Sequence, residues 1–87
     1  MSNASDPVSR WTAIANDGTD IRDTIRTASG DGYSIRAIYV ASVGTIELKD
    51  GEGNALYFSN LPVGIYPLRP FCSTSNTTAT LYALYGH

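Results

Sequence analysis

Hydrophobic and polar residues alternate along most of the chain, and glycine or proline interrupts the alternation at short intervals. The pattern is clearest in residues 35–60, which hold three runs rich in β-branched and aromatic residues, separated by glycine turns. Alternation with a period of two is typical of a strand that buries one face. We therefore predict an antiparallel meander here. The side chains expected to seed its core are Tyr39, Ile46, Leu48, Leu56 and Phe58.

The meander resolves into three predicted strands. Residues 33–40 carry apolar side chains on both faces, which indicates a strand buried in the centre or pressed between a sheet and a neighbour. Ile35, Ala37 and Tyr39 are expected to share one face of this strand. Residues 45–49 and 55–59 alternate more strictly, and the loop DGEGN between them supplies the glycines of a hairpin turn.

Residues 8–15 form a further predicted strand around Trp11, which has the largest apolar side chain in the chain. A core position is the first interpretation for Trp11. A subunit contact is the alternative, because Trp is favoured in the central contacts of interfaces.

The C-terminal part of the chain predicts two more extended segments. Residues 65–70 contain two prolines, which cannot donate to a sheet ladder, so this segment belongs at a sheet edge. Residues 77–85 alternate to the end of the chain and form the closing strand. Its inward side chains are predicted to be Ala79, Leu81, Ala83 and Tyr85.

Residues 21–29 depart from the strand pattern. Ile21, Thr24 and Ile25 fall at helical spacing, and Asp20 is placed to cap a short helix. Thr and Ile are weak helix formers, so an irregular connection or a strand is an equal alternative. Helix content is expected to be low, at about one turn in this segment.

The spacing of the turns predicts the fold class. Turns every eight to twelve residues or so are typical of an all-β sandwich or barrel. We predict an all-β fold, a small antiparallel β-sandwich or jelly-roll-like barrel of five to seven short strands. Residues 8–87 are expected to form this single domain, and the polar residues 1–7 a flexible N-terminal arm.

The composition favours a chain that works together with other chains. A domain of 87 residues has a marginal core, which small proteins reinforce with disulfides, a metal or oligomerisation. One cysteine and one histidine provide neither an internal disulfide nor a four-ligand zinc site, so oligomerisation remains. The single lysine and six tyrosines also match the composition of protein–protein contact surfaces.

Charge and hydropathy disfavour several partners. A net charge of −2 without a basic patch disfavours nucleic acid. The N-terminal residues lack the apolar segment of a signal peptide, and no apolar run approaches the roughly 20 residues of a membrane-spanning helix. We therefore expect no membrane association. Synthesis in the cytoplasm is expected, which a lone cysteine also fits.

The sequence offers no arrangement of residues for catalysis. An enzyme needs a nucleophile with its base, a carboxylate pair in a cleft, or a metal. The one histidine is the terminal His87, and Cys72 has no base near it in sequence, so it is interpreted as a buried structural cysteine. We predict no enzymatic activity, no cofactor and no metal. A carbohydrate-binding module is the alternative function, because Trp11 and the tyrosines offer rings that can stack on a sugar.

Four segments together resemble one known family. They read, in order, RAIYV at 36–40, VGTIELKDGEGNALYFSNLPVG at 43–64, YPLRP at 66–70 and TTATLYALY at 77–85. This order resembles the head spike-base proteins of gene transfer agents and related tailed phages, over about residues 35–85. The short piece DGTDI at 17–21 echoes the same family, whereas residues 22–33 form an insertion relative to it.

The resemblance implies a virion structural protein on the outer capsid surface. The role would be that of a head decoration or cement protein, or of a spike base that seats a head fibre protein. The implied partners are the major capsid protein and further copies of the chain, as a homotrimer or a homopentamer.

Five residues are the expected contact points with these partners. Trp11 and Tyr66 are predicted to supply apolar anchors. Arg22, Arg26 and Arg69 are predicted to meet acidic patches of the capsid, because guanidinium groups pair carboxylates with two hydrogen bonds.

Overall fold

The computed structural model describes residues 10–86, which form seven strands and one helix. Their bounds are β1 Arg10–Ala13, α1 Ile21–Ser29, β2 Ser34–Val40, β3 Thr45–Lys49, β4 Ala55–Ser59, β5 Gly64–Tyr66, β6 Cys72–Ser73 and β7 Leu81–Gly86. The strands form two antiparallel sheets, in the orders β1-β7-β2-β5 and β4-β3-β6. The predicted all-β fold class is therefore confirmed. The arm predicted for residues 1–7 lies outside the described residues.

β2 and β7 pair at the centre of the four-stranded sheet. Their register places Ile38 opposite Ala83 and Val40 opposite Leu81, and all four side chains are buried. β5 pairs with the other side of β2 and is an edge strand, where a following proline is tolerated.

A single core joins the inner face of the four-stranded sheet to the helix and the three-stranded sheet. Its buried members are Ile14, Ile21, Ile25, Ile38, Val40, Ile46, Leu48, Ala79, Leu81, Ala83 and Tyr85. All four inward residues predicted for the closing segment belong to this cluster. The helix, β3 and β7 thus bury their apolar faces against one another. The outer face of the four-stranded sheet remains uncovered by the described residues.

A β-bulge in β2 corrects the predicted distribution of side chains. The register shifts between Ile35, opposite Tyr85, and Ala37, opposite Leu84. An extra residue at a bulge reverses the alternation of the side chains that follow it. Ile35 therefore packs against the core, and Ala37 and Tyr39 lie on the outer face.

Residues 21–29 form a helix of nine residues, which decides between the alternatives left open by the sequence. The Asp20 side chain caps it by accepting a 2.9 Å hydrogen bond from the Arg22 backbone N–H. At the other end, Gly30 has a φ of 89° and donates its N–H to the Arg26 carbonyl. The helix is longer than the one turn expected, because both ends are capped and Ile21 and Ile25 are buried on its core side.

Three further expectations are wrong. Trp11 is 67% exposed, because β1 is an edge strand and presents this residue on the uncovered outer face. Leu56 is 50% exposed, because β4 is the edge strand of the three-stranded sheet. The closing strand begins at Leu81 and not at residue 77, since Thr77 and Thr78 use their hydroxyls to accept hydrogen bonds from the β3 backbone.

We predict that Leu81→Ala lowers the free energy of unfolding by about 3 kcal/mol, because it leaves a cavity in the core. The matched control Leu56→Ala removes the same atoms from a half-exposed position and is expected to cost less than ~1 kcal/mol. Urea denaturation followed by circular dichroism measures both changes. Equal losses for the two variants would contradict the placement of the core.

Candidate protein-contact surfaces

The outer face of the four-stranded sheet forms a continuous apolar surface, which we call the aromatic face. It comprises Trp11, Ala13, Ala37, Tyr39, Ile65, Tyr82 and Leu84. The register aligns these residues in two rows, because residues opposite each other on antiparallel strands point to the same side. One row joins Trp11, Leu84 and Ala37, and the other joins Ala13, Tyr82, Tyr39 and Ile65.

The aromatic face is exposed at both lateral strands and uncharged throughout. Trp11 on β1 is 67% exposed and Ile65 on β5 is 66% exposed. Between them, the rings of Tyr39 and Tyr82 lie 6.3 Å apart with a tilt of 41°. The two tyrosines, with Trp11 and Leu84, line a shallow hollow in the sheet. Large exposed apolar side chains grouped in one patch are typical of an interaction site.

A second apolar surface lies beside β4, where the β3–β4 hairpin meets the proline-containing segment after β5. We call it the β4 groove. Its lining includes Leu48, Leu56, Leu68, Arg69 and Pro70. The charged residues Lys49 and Asp50 also line it.

Local hydrogen bonds fix both walls of the β4 groove. Asp50 organises the hairpin loop, because its carboxylate accepts from the backbone N–H groups of Glu52 and Asn54 at 2.9 and 3.0 Å. Hydrogen bonds from Asn54 hold the pKa of Asp50 below its usual value. On the other wall, the backbone N–H of Phe71 donates to the Lys49 carbonyl at 2.7 Å. These hydrogen bonds therefore hold the two sides of the groove in place.

Arg22 and Arg26 lie on the exposed side of α1 and already have acidic partners within the chain. The Arg22 guanidinium lies 2.9 Å from Asp20 and also stacks over the Phe71 ring at 5.4 Å. The Arg26 guanidinium lies 2.9 Å from Asp23 and 3.4 Å from Asp31. Exposed ion pairs of this kind contribute little to the stability of the fold.

The remaining predicted contact residues occupy different places. Trp11 lies on the aromatic face, and Arg69 lines the β4 groove. Tyr66 packs against the core, and its hydroxyl donates to the Pro62 carbonyl at 2.6 Å. The structure thus does not bring the five residues together into one site.

Sequence reasoning missed most of the aromatic face. The sequence pattern identifies only the inward side chains of the closing strand, and Tyr82 and Leu84 lie on its opposite face. A signal was present, because residues 33–40 and 77–85 are apolar on both faces. A two-sided apolar strand at the surface of a small sandwich implies a covering partner.

Residues 10–86 contain neither a metal-binding cluster nor a membrane-spanning helix. No three His, Cys, Asp or Glu side chains in that range are grouped to hold a metal ion. The helix in that range is too short and too polar to cross a membrane. Cys72 is buried, in agreement with its interpretation as a structural residue.

Comparison with known proteins points to a virus-like particle. No protein family profile matches the chain, and no match appears among curated proteins. The chain is similar to a protein of a gene transfer agent capsid. The solved structure is described as the capsid of a native GTA particle, computed with C5 symmetry. The two chains align with a TM-score of 0.71 and 26% identity, over 97% of this chain and 90% of the other.

This similarity confirms the capsid-related part of the resemblance drawn from the sequence. It extends that resemblance from about residues 35–85 to nearly the whole chain, including the N-terminal part in which only a short echo was recognised.

The carboxylate of Asp20, which caps α1, is expected to make the stability of the fold depend on pH in the acid range. The side-chain hydrogen bond from Arg22 is the main cause that holds the pKa of Asp20 below its usual value. Because the pKa is lower in the folded state, the carboxylate stabilises the fold above the pKa of the unfolded chain. This contribution disappears as the pH falls through the folded pKa, below about pH 4.

Asp20→Ala is expected to lose about 1 kcal/mol at neutral pH, because the cap is removed. Asp20→Asn retains an equivalent cap without a titrating group, so its stability should fall less steeply below about pH 4. Urea unfolding across the pH range measures both, with the exposed Asp31→Asn as a control that removes another carboxylate. Identical acid profiles for Asp20→Asn and the unaltered chain would refute this role of Asp20.

Proposed function

We propose that the chain is a virion structural protein of the outer capsid surface, acting as a head decoration or cement protein or as a spike base. The observation that carries this proposal is the similarity to a gene transfer agent capsid structure over 97% of the chain. Two exposed apolar surfaces on a domain of 87 residues support it, because each has the character of a protein contact.

The proposed partners are further copies of the chain and the major capsid protein, with a head fibre protein docking on the assembly in the spike-base case. The homo-oligomer would be a trimer at a three-fold position or a pentamer at a vertex, since closed rings are the usual form of such contacts. Trp11 is the proposed apolar anchor, and Arg22, Arg26 and Arg69 the proposed partners of acidic capsid groups. The role is non-enzymatic and requires no cofactor.

Co-sedimentation with empty capsids tests this proposal directly. We expect the chain to pellet with the capsids and to saturate at a fixed ratio to the major capsid protein. Light scattering of the free chain gives the mass of its oligomer in the same preparation. A chain that remains monomeric and stays in the supernatant at every concentration would refute the proposal.

A second candidate function is carbohydrate binding, favoured by the exposed indole of Trp11 beside Tyr82 and Tyr39. A glycan array would show selective binding if this is correct. Because Trp11 is the one tryptophan of the chain, a bound sugar is also expected to shift its fluorescence. No binding across the array and no shift would exclude this function.

A further inference from the structure

The aromatic face and the β4 groove share no residue and lie on different sheets. The aromatic face belongs to the four-stranded sheet, and the groove lies against the edge strand of the three-stranded sheet. Among residues 10–86, Trp11 and Ile65 on the aromatic face and Leu56 at the groove remain at least half exposed. The described part of one copy thus carries two different apolar surfaces that other described segments leave open.

We propose that the aromatic face of one copy packs onto the β4 groove of a neighbouring copy, so that Trp11 enters the groove beside Leu56 and Leu68. This inference rests on the proposed function for the presence of neighbouring copies. It adds the identity of the two contact surfaces and the head-to-tail manner in which they meet.

The number of surfaces favours a head-to-tail contact over a symmetric pair. In a two-fold pair, the same surface of both copies meets itself, which leaves both β4 grooves uncovered. A contact between two different surfaces covers both and repeats from copy to copy. When the rotations between successive copies add up to a full turn, the copies form a closed ring.

The charges of the two surfaces are compatible with this contact. None of the seven residues of the aromatic face is charged, so no charge of its own is buried unpaired when it docks. The groove is lined by Lys49, Asp50 and Arg69 as well as by its apolar residues, and Arg69 is available to stack on the incoming Trp11 ring. The net charge of −2 per copy adds little repulsion between copies.

The size of the aromatic face also argues for a ring. Four strands about 4.8 Å apart, with two rows about 7 Å apart, give a patch on the order of 300 Å². Two such patches meeting each other bury roughly half of the total area of a stable interface, which is at least about 1,200 Å². In a closed ring each copy holds two contacts, and both must break before a copy leaves.

Two variants test the contact from its two sides. Trp11→Ala removes the anchor, and Leu56→Arg places a charge in the groove. Both positions are exposed, so the fold should be retained by circular dichroism. We expect each variant to weaken self-association at least tenfold in light scattering. The control Val43→Ala alters a similarly exposed apolar residue that lies in neither surface, and it should assemble like the unaltered chain.

Mixing the two variants distinguishes the head-to-tail contact from the symmetric one. The Trp11→Ala copy retains an intact groove, and the Leu56→Arg copy retains an intact aromatic face. One intact contact is weaker than the two that a copy holds in a ring, so an equimolar mixture is expected to form pairs only at high concentration, where neither variant associates alone. Normal assembly by Leu56→Arg, or a mixture that contains only monomers at that high concentration, would overturn the inference.

The same contact is tested on the capsid by cross-linking. A double variant with Trp11→Cys and Leu56→Cys should form disulfide-linked ladders when bound to empty capsids, whereas either single variant should not. Capsid binding without ladders overturns the contact but leaves the proposed function standing. Failure of the unaltered chain both to bind capsids and to self-associate overturns the proposed function itself.

Discussion

The pairing of β2 with β7 determines how the rest of the molecule is organised. These central strands direct Ile38, Val40, Leu81 and Ala83 to one side, where the helix and β3 cover them. The same pairing directs Tyr39, with its neighbours on the aromatic face, to the other side, where none of the described residues covers them. Strand alternation, reset by the bulge in β2, thus creates both the core and the candidate contact surface.

The two sides of this sheet explain why a small chain combines a tight core with an exposed indole. The inner side is closed by residues from both sheets and the helix, and every buried side-chain nitrogen and oxygen of residues 10–86 has a hydrogen-bond partner. The outer side is apolar, although β1 and β5 leave its margins open to solvent. A partner that covers this side adds apolar burial to a domain whose own core is small.

The pattern of the sequence is enough to predict where most strands lie, but it predicts less well which of their side chains are buried. Residues 45–49 and 55–59 are strands with the predicted bounds, because a glycine hairpin and strict alternation define them locally. Trp11 and Leu56 were assigned inward because apolar character does not distinguish a core position from a contact position. That distinction depends on strand order, which places β1 and β4 at edges.

Two other features also depend on more than the local pattern. The bulge near Arg36 has no glycine or proline to mark it, yet it decides which side chains of β2 face outward. The helix at 21–29 has weak intrinsic propensity and is stabilised by the Asp20 cap and by burial of Ile21 and Ile25. Of the candidate site, the sequence identified Trp11 and Arg69 but not the surfaces to which they belong.

Collisional quenching of Trp11 fluorescence, measured with the chain free and bound to empty capsids, tests most directly whether the aromatic face is covered in the assembly. The chain has a single tryptophan, so the signal reports on this face alone. Efficient quenching of the dilute chain and strong protection on the capsid are predicted. Equal quenching in both states, with binding verified in the same sample, would contradict a role of this face in assembly.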